Sequence, residues 1–97
     1  MLCTSFGEAD HLSHEERFQI ISVSRTGLDE NGMGGMPVLA GITASSTREA
    51  INFALESASA GADYVLAGAP GVYAKYLDKA SIAKYFVDIA ASSPIPV

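Results

Sequence analysis

Apolar residues along this chain fall into two patterns, short unbroken runs and longer stretches where they recur every three or four positions. The runs are Pro37-Val-Leu-Ala-Gly-Ile42, Tyr64-Val-Leu-Ala67 and the terminal Ile95-Pro-Val97, each short and apolar on both faces, as buried parallel strands are. Between them lie helical signatures. Ser13-His14-Glu15-Glu16 has the spacing of a capping box, in which a serine hydroxyl and a glutamate three residues on satisfy each other's backbone amides, so a helix is expected to start there. Phe18, Ile20, Ile21 and Val23 would supply its apolar side. The alternation Phe18, Ile20, Ser22 also permits a strand, and the Glu15-Glu16 pair favours the helix. Ser46-Thr47-Arg48-Glu49 repeats the box. Ala50, Ile51, Ala54, Leu55 and Ala58 then follow at helical spacing up to Gly61, a residue suited to a left-handed terminator. Asp78 can cap a third helix carrying Ile82, Tyr85, Phe86, Ile89 and Ala90, closed by Ser92-Ser93-Pro94.

The punctuation fits this order. Asp29 to Gly35 and Gly68 to Gly71 are rich in turn formers. The result is a strand end, then three helices alternating with strands, with successive strands about 27 to 31 residues apart, the length of a βαβ unit. This predicts a parallel α/β fold in a single unit over residues 1–97. An open doubly wound sheet and a piece of a (β/α)8 barrel share that order. A whole barrel needs about 250 residues, which favours the open sheet. A chain that opens inside one strand and closes inside another leaves two raw edges, as a segment of a larger barrel would.

Composition narrows the function classes. Six Lys and Arg stand against eleven Asp and Glu, a formal charge of −5 with no basic cluster, which argues against nucleic acid and anionic lipid as partners. Cys3 is the single cysteine, so no internal disulfide forms, and a small buried apolar group is its simplest role. No apolar run approaches the roughly 18 residues of a membrane span. A cytoplasmic or organelle-matrix location, such as the mitochondrial matrix, is expected. Gly32 to Gly35 precedes a strand, whereas a phosphate loop follows one. His11 and His14, with Asp10 and Glu15 beside them, have no distant third ligand, so no metal is expected.

Four strings in order, TSFGEADHLSHEER, VLAGITASSTREAI, AGADYVLAGAP and SIAKYFVDIAASSPIPV, carry a resemblance over nearly the whole chain. It resembles the dihydrodipicolinate synthase and N-acetylneuraminate lyase family, especially the 4-hydroxy-2-oxoglutarate aldolase-like branch. That resemblance implies a partial (β/α)8 barrel, running from the second barrel strand to the start of the fifth, roughly a third of the enzyme. It implies a class I aldolase or lyase that forms a Schiff base between a lysine and pyruvate or another 2-oxo acid, with no cofactor, in an enzyme that forms homo-oligomers. The family carries its lysine on the sixth strand and a catalytic tyrosine on the fifth, beyond this segment, so the chain alone is expected to be inactive. Lys75, Lys79 and Lys84 read as surface charges.

The resemblance also assigns site residues. The family's carboxylate-binding loop matches Thr4-Ser5-Phe6-Gly7-Glu8, which makes Ser5 and Phe6 the substrate-binding positions. Thr4 stands where the family has glycine, and Phe6 replaces a polar contact with a ring that forms no such bond. After the fourth strand the family has proline and two aromatics, one in a proton relay across the subunit interface. Pro70-Gly71-Val72-Tyr73 retains one, Tyr73. Two other readings stand beside this one: a non-catalytic α/β module that self-associates or complements another barrel fragment through its open edges, and an unrelated flavodoxin-like domain.

Overall fold

Three capped helices and a short parallel sheet make up the computed structural model, which describes residues 1–97. Helix α1 spans His14–Glu30. The Ser13 hydroxyl accepts from the Glu16 amide, and the Glu16 carboxylate accepts from the Ser13 amide at 2.8 Å. The strand alternative for this stretch is therefore excluded. Strand β1 is Leu39–Gly41, helix α2 Thr47–Ser59, strand β2 Tyr64–Leu66 and helix α3 Lys79–Ser92. Asp78 caps α3 by accepting from the Ser81 amide at 2.7 Å. The chain leaves α2 through Gly61 at φ +103°, a conformation that costs glycine nothing.

The strands stack in chain order. β1 and β2 pair in parallel, with Ala40 opposite Val65. Leu2 bridges to Ala40 on the outer side of β1, and the Val65 amide donates to the Pro96 carbonyl at 2.9 Å on the outer side of β2. Four successive extended segments thus lie side by side, each joined to the next through a helix. Such sequential parallel neighbours are what barrel staves require.

Helix α2 packs against both α1 and α3. Ala40, Ala50, Ala54, Ala60 and Ala62 are buried, and these small side chains let helix and sheet approach closely. Ile21, Ile42, Val65 and Ile89 are the large side chains fully enclosed, each worth about 1.5–3 kcal/mol relative to exposure.

Three expectations are corrected. On α1 the apolar side chains Phe18, Ile20 and Val23 are exposed, while Ile21 and Arg17 point inward. Arg17 and Ile21 are four apart and share one face, with Arg17 set against Phe53 of α2, whereas Phe18, Ile20 and Val23 are spread around the helix. The second capping box is half formed. Ser46 accepts from the Glu49 amide at 3.2 Å, but the Glu49 carboxylate is drawn away to His14. Finally, β2 is covered on one face, with Val65 buried and Tyr64 and Leu66 exposed.

Candidate active site

The Thr4–Ala9 segment curls at the C-terminal ends of the parallel strands. Gly7 and Ala9 amides donate to the Thr4 carbonyl at 2.9 and 3.3 Å, and Glu8 donates to the Ser5 carbonyl at 3.1 Å. Cys3 and Glu8 both sit at φ +52°, the left-handed region that costs an L-residue roughly 1–2 kcal/mol. Two strained residues flanking four others hold that turn in one shape. Where Cys3 leaves the first extended segment it crosses directly against Gly41; a Cβ there would collide with the Cys3 carbonyl.

A cavity of about 280 Å³ opens beside this turn, lined by Thr4, Ser5 and Phe6 from the first segment, Gly41 and Thr43 from the end of β1, and Leu66 and Gly68 from the end of β2. Phe6 is fully exposed, which puts its ring at the rim. The Thr43 Oγ1 accepts from the Gly68 amide at 2.8 Å, tying the two strand ends together and leaving its own proton free to donate. Ser5 is exposed, and its hydroxyl takes no part in the side-chain hydrogen bonds around the turn. Two free hydroxyls therefore line one cavity, an arrangement able to hold a small carboxylate.

Tyr73 stands apart. It lies on the turn Gly71–Tyr76, half exposed, and is absent from the walls of the cavity. Lys75, Lys79 and Lys84 do not line it either; Lys84 pairs with Asp88 at 2.8 Å on the surface of α3. No group of three or more His, Cys, Asp or Glu is placed to hold a metal ion.

Two features escaped the sequence reading. Thr43 follows the apolar run and carries no motif; only the strand register brings it opposite Gly68. Arg17 lies on α1 with 5% of its surface exposed, stacked 4.0 Å over the Phe53 ring. Its Nη1 donates to the Ala9 carbonyl at 3.2 Å and its Nη2 to the Gly41 carbonyl at 2.6 Å. Burial pushes the nearby Cys3 thiol above its ordinary pKa, with Arg17 partly offsetting the shift, so Cys3 stays a protonated packing group.

The sequence model of the dihydrodipicolinate synthetase family matches residues 1–97. The chain belongs to that family. It is 46% identical over 93 residues to the protein of Emericella nidulans named probable 4-hydroxy-2-oxoglutarate aldolase, mitochondrial, covering 96% of this chain and 30% of that one. Among solved structures it is similar to a dihydrodipicolinate synthase family protein from Coccidioides immitis, with a TM-score of 0.80, 33% identity, and coverage of 98% of this chain and 29% of that one. A prophage protein of the same family from E. coli K12, solved in complex with pyruvate, aligns with a TM-score of 0.82 and 29% identity over 99% of this chain and 30% of that one. The fold is thus a portion of the dihydrodipicolinate synthase barrel, and the chain spans about 30% of the length of the relatives it matches.

Proposed function

We propose that this chain supplies one wall of the substrate site of a class I aldolase acting on pyruvate or a related 2-oxo acid. The observation that carries the reading is the pair of free hydroxyls, Ser5 and Thr43, lining one cavity at the C-terminal ends of parallel strands, the end where barrel enzymes do their chemistry. Both hydroxyls donate to the substrate carboxylate and fix which face of the ketone is presented. The electron sink is a lysine imine, which withdraws electrons as the carbon–carbon bond breaks. No lysine lines the cavity, so the nucleophile belongs to a strand outside these residues, and Tyr73 serves as a proton relay from its exposed turn. The apolar rim at Phe6 replaces a polar contact and favours a substrate with an apolar or flat face there. The alignment with a pyruvate complex and the name of the 46% identical relative support the substrate class. The mitochondrial description of that relative supports a matrix location, with the cytoplasm as the alternative.

Adding carbon-13 pyruvate to the chain tests the wall. Ser5 and Thr43 amide resonances should shift, and Ser5→Ala should abolish the response. Pyruvate with borohydride should leave the chain unlabelled; covalent trapping on Lys75, Lys79 or Lys84 would overturn the placement of the nucleophile.

One observation favours a second reading. Phe6, Tyr64 and Leu66 are exposed, and the outer edges beside Leu2 and Pro96 are unpaired by further strands. A module that self-associates or complements another barrel fragment would cover both. Sedimentation at micromolar concentration separates the readings, since a monomer that unfolds cooperatively removes the second.

A further inference from the structure

From its two carbonyl contacts we infer that Arg17 is a positioning residue, setting the spacing between the Ser5 wall and the Thr43 wall of the candidate cavity; this deepens the proposed function and rests on it.

The sequence of contacts is short. Arg17 Nη1 holds the Ala9 carbonyl, and the Ala9 amide in turn closes the turn onto the Thr4 carbonyl, next to Ser5. Arg17 Nη2 holds the Gly41 carbonyl, two residues before Thr43, while the Gly41 amide donates to the Leu2 carbonyl at 2.8 Å. One planar guanidinium therefore spans the segment bearing the first hydroxyl and the strand bearing the second. A fork of fixed geometry can do this; an ammonium, a point donor on a flexible stem, cannot hold both carbonyls with the same rigidity.

The charge points the same way. Arg17 is buried and no carboxylate pairs with it; the ion pairs of the chain belong to His14, Arg25 and Lys84. A buried cation is costly unless it is held, and here backbone carbonyls and the Phe53 ring hold it. If packing were the only need, an apolar side chain would fill this space more cheaply. What a guanidinium adds is the fixed distance between Ala9 and Gly41.

Amide hydrogen exchange on the full 97-residue chain reads the loop directly. Arg17→Met keeps a long apolar stem against Phe53 and removes both donors. Protection over Thr4–Ala9 should fall by about tenfold, the effect of releasing one charged hydrogen bond on local opening, while the amides of α2 and α3 keep theirs. Arg17→Lys should fall in between, and pyruvate-induced shifts at Ser5 and Thr43 should weaken in the same order. Loss of protection throughout the chain, an unchanged loop, or failure of both variants to fold would each overturn the positioning role. Ser5→Ala separates the two claims, since it removes the pyruvate response without opening the loop. If the unsubstituted chain shows no pyruvate response, the proposed function fails, and the exchange comparison still decides Arg17.

Discussion

The two ends of the parallel strands are built on opposite terms. At their N-terminal ends Arg25 gathers the chain. Its Nη2 lies 2.8 Å from Asp29, its Nη1 donates to the Met36 carbonyl at 2.9 Å and lies 3.3 Å from Asp63, and Nη2 also reaches the Gly34 carbonyl at 3.2 Å. Asp63 in turn accepts from the Val38 amide at 2.7 Å. The Arg25 guanidinium, both carboxylates and the Val38 amide are thus engaged within the fold. At the C-terminal ends two non-glycine residues sit at positive φ, the Ser5 hydroxyl is unengaged and Phe6 faces solvent. Satisfied groups stabilise, whereas free groups on a strained backbone remain available to a ligand. The contrast teaches that stability and candidate function are divided between the two ends of the same strands.

The most severe test of this division is Gly41→Ala. The added Cβ meets the backbone of Cys3 and Thr4, which no rotamer change relieves, so a loss of about 3 kcal/mol is expected. Urea unfolding measures it, and the pyruvate response should vanish with it. At the opposite end Arg25→Ala should cost about 2 kcal/mol, because the carboxylates it leaves are partly solvated and recover water. Its signature is different: the midpoint falls while pyruvate-induced shifts at Ser5 and Thr43 persist in the folded fraction. If Arg25→Ala abolished those shifts without unfolding, the two ends would not be independent.

Thr43→Val is a smaller change of the same shape. It strands the Gly68 amide, whose donation to Oγ1 is replaced by a methyl, and should cost about 1 kcal/mol. The division predicts a larger effect on ligand than on stability. A pyruvate response equal to that of the unsubstituted chain would remove Thr43 from the site.

Much of this architecture was legible in the sequence because it is local. Ser13 and Glu16 announced a helix that forms with both cap bonds, and the apolar runs announced strands in the right order. What failed was anything decided across elements. Glu49 has the spacing of a capping box, but His14 on another helix offers its carboxylate a better partner. Phe18, Ile20 and Val23 looked like an apolar side of α1 yet are exposed, while Arg17 and Ile21, four apart on one face, are the residues α1 buries. A buried arginine reads as surface until the carbonyls it holds are known. The candidate site divided in the same way: Ser5 was visible through a loop pattern, while Thr43 became visible only through the register that puts it beside Gly68. Tyr73, carried by pattern too, lies outside that cavity.

The smallest effect concerns His14, which joins the N-terminus of α1 to α2. Its Nε2 lies 2.7 Å from Glu49 and its Nδ1 2.8 Å from Glu56, so only the doubly protonated ring can donate to both carboxylates. The bond to Glu56 first, then that to Glu49, raises its pKa above the ordinary 6.5. A group whose pKa is higher folded than unfolded stabilises most below the unfolded value. The contribution is therefore complete below pH 6.5 and fades as pH rises through the folded pKa. Because the ring is nearly half exposed, screening holds the gain to about 0.5 kcal/mol. Proton resonances of the imidazole report the titration site by site. Glu56→Gln should lower the His14 pKa more than Glu49→Gln, and both should weaken the pH dependence of unfolding above neutrality. A His14 that titrates at its ordinary value in the unsubstituted chain would mean the clamp is absent. The N-terminus of α1 would then meet α2 only through ring contacts, those of His14 and Arg17 with Phe53, which sharpens what the Arg17 substitution must show.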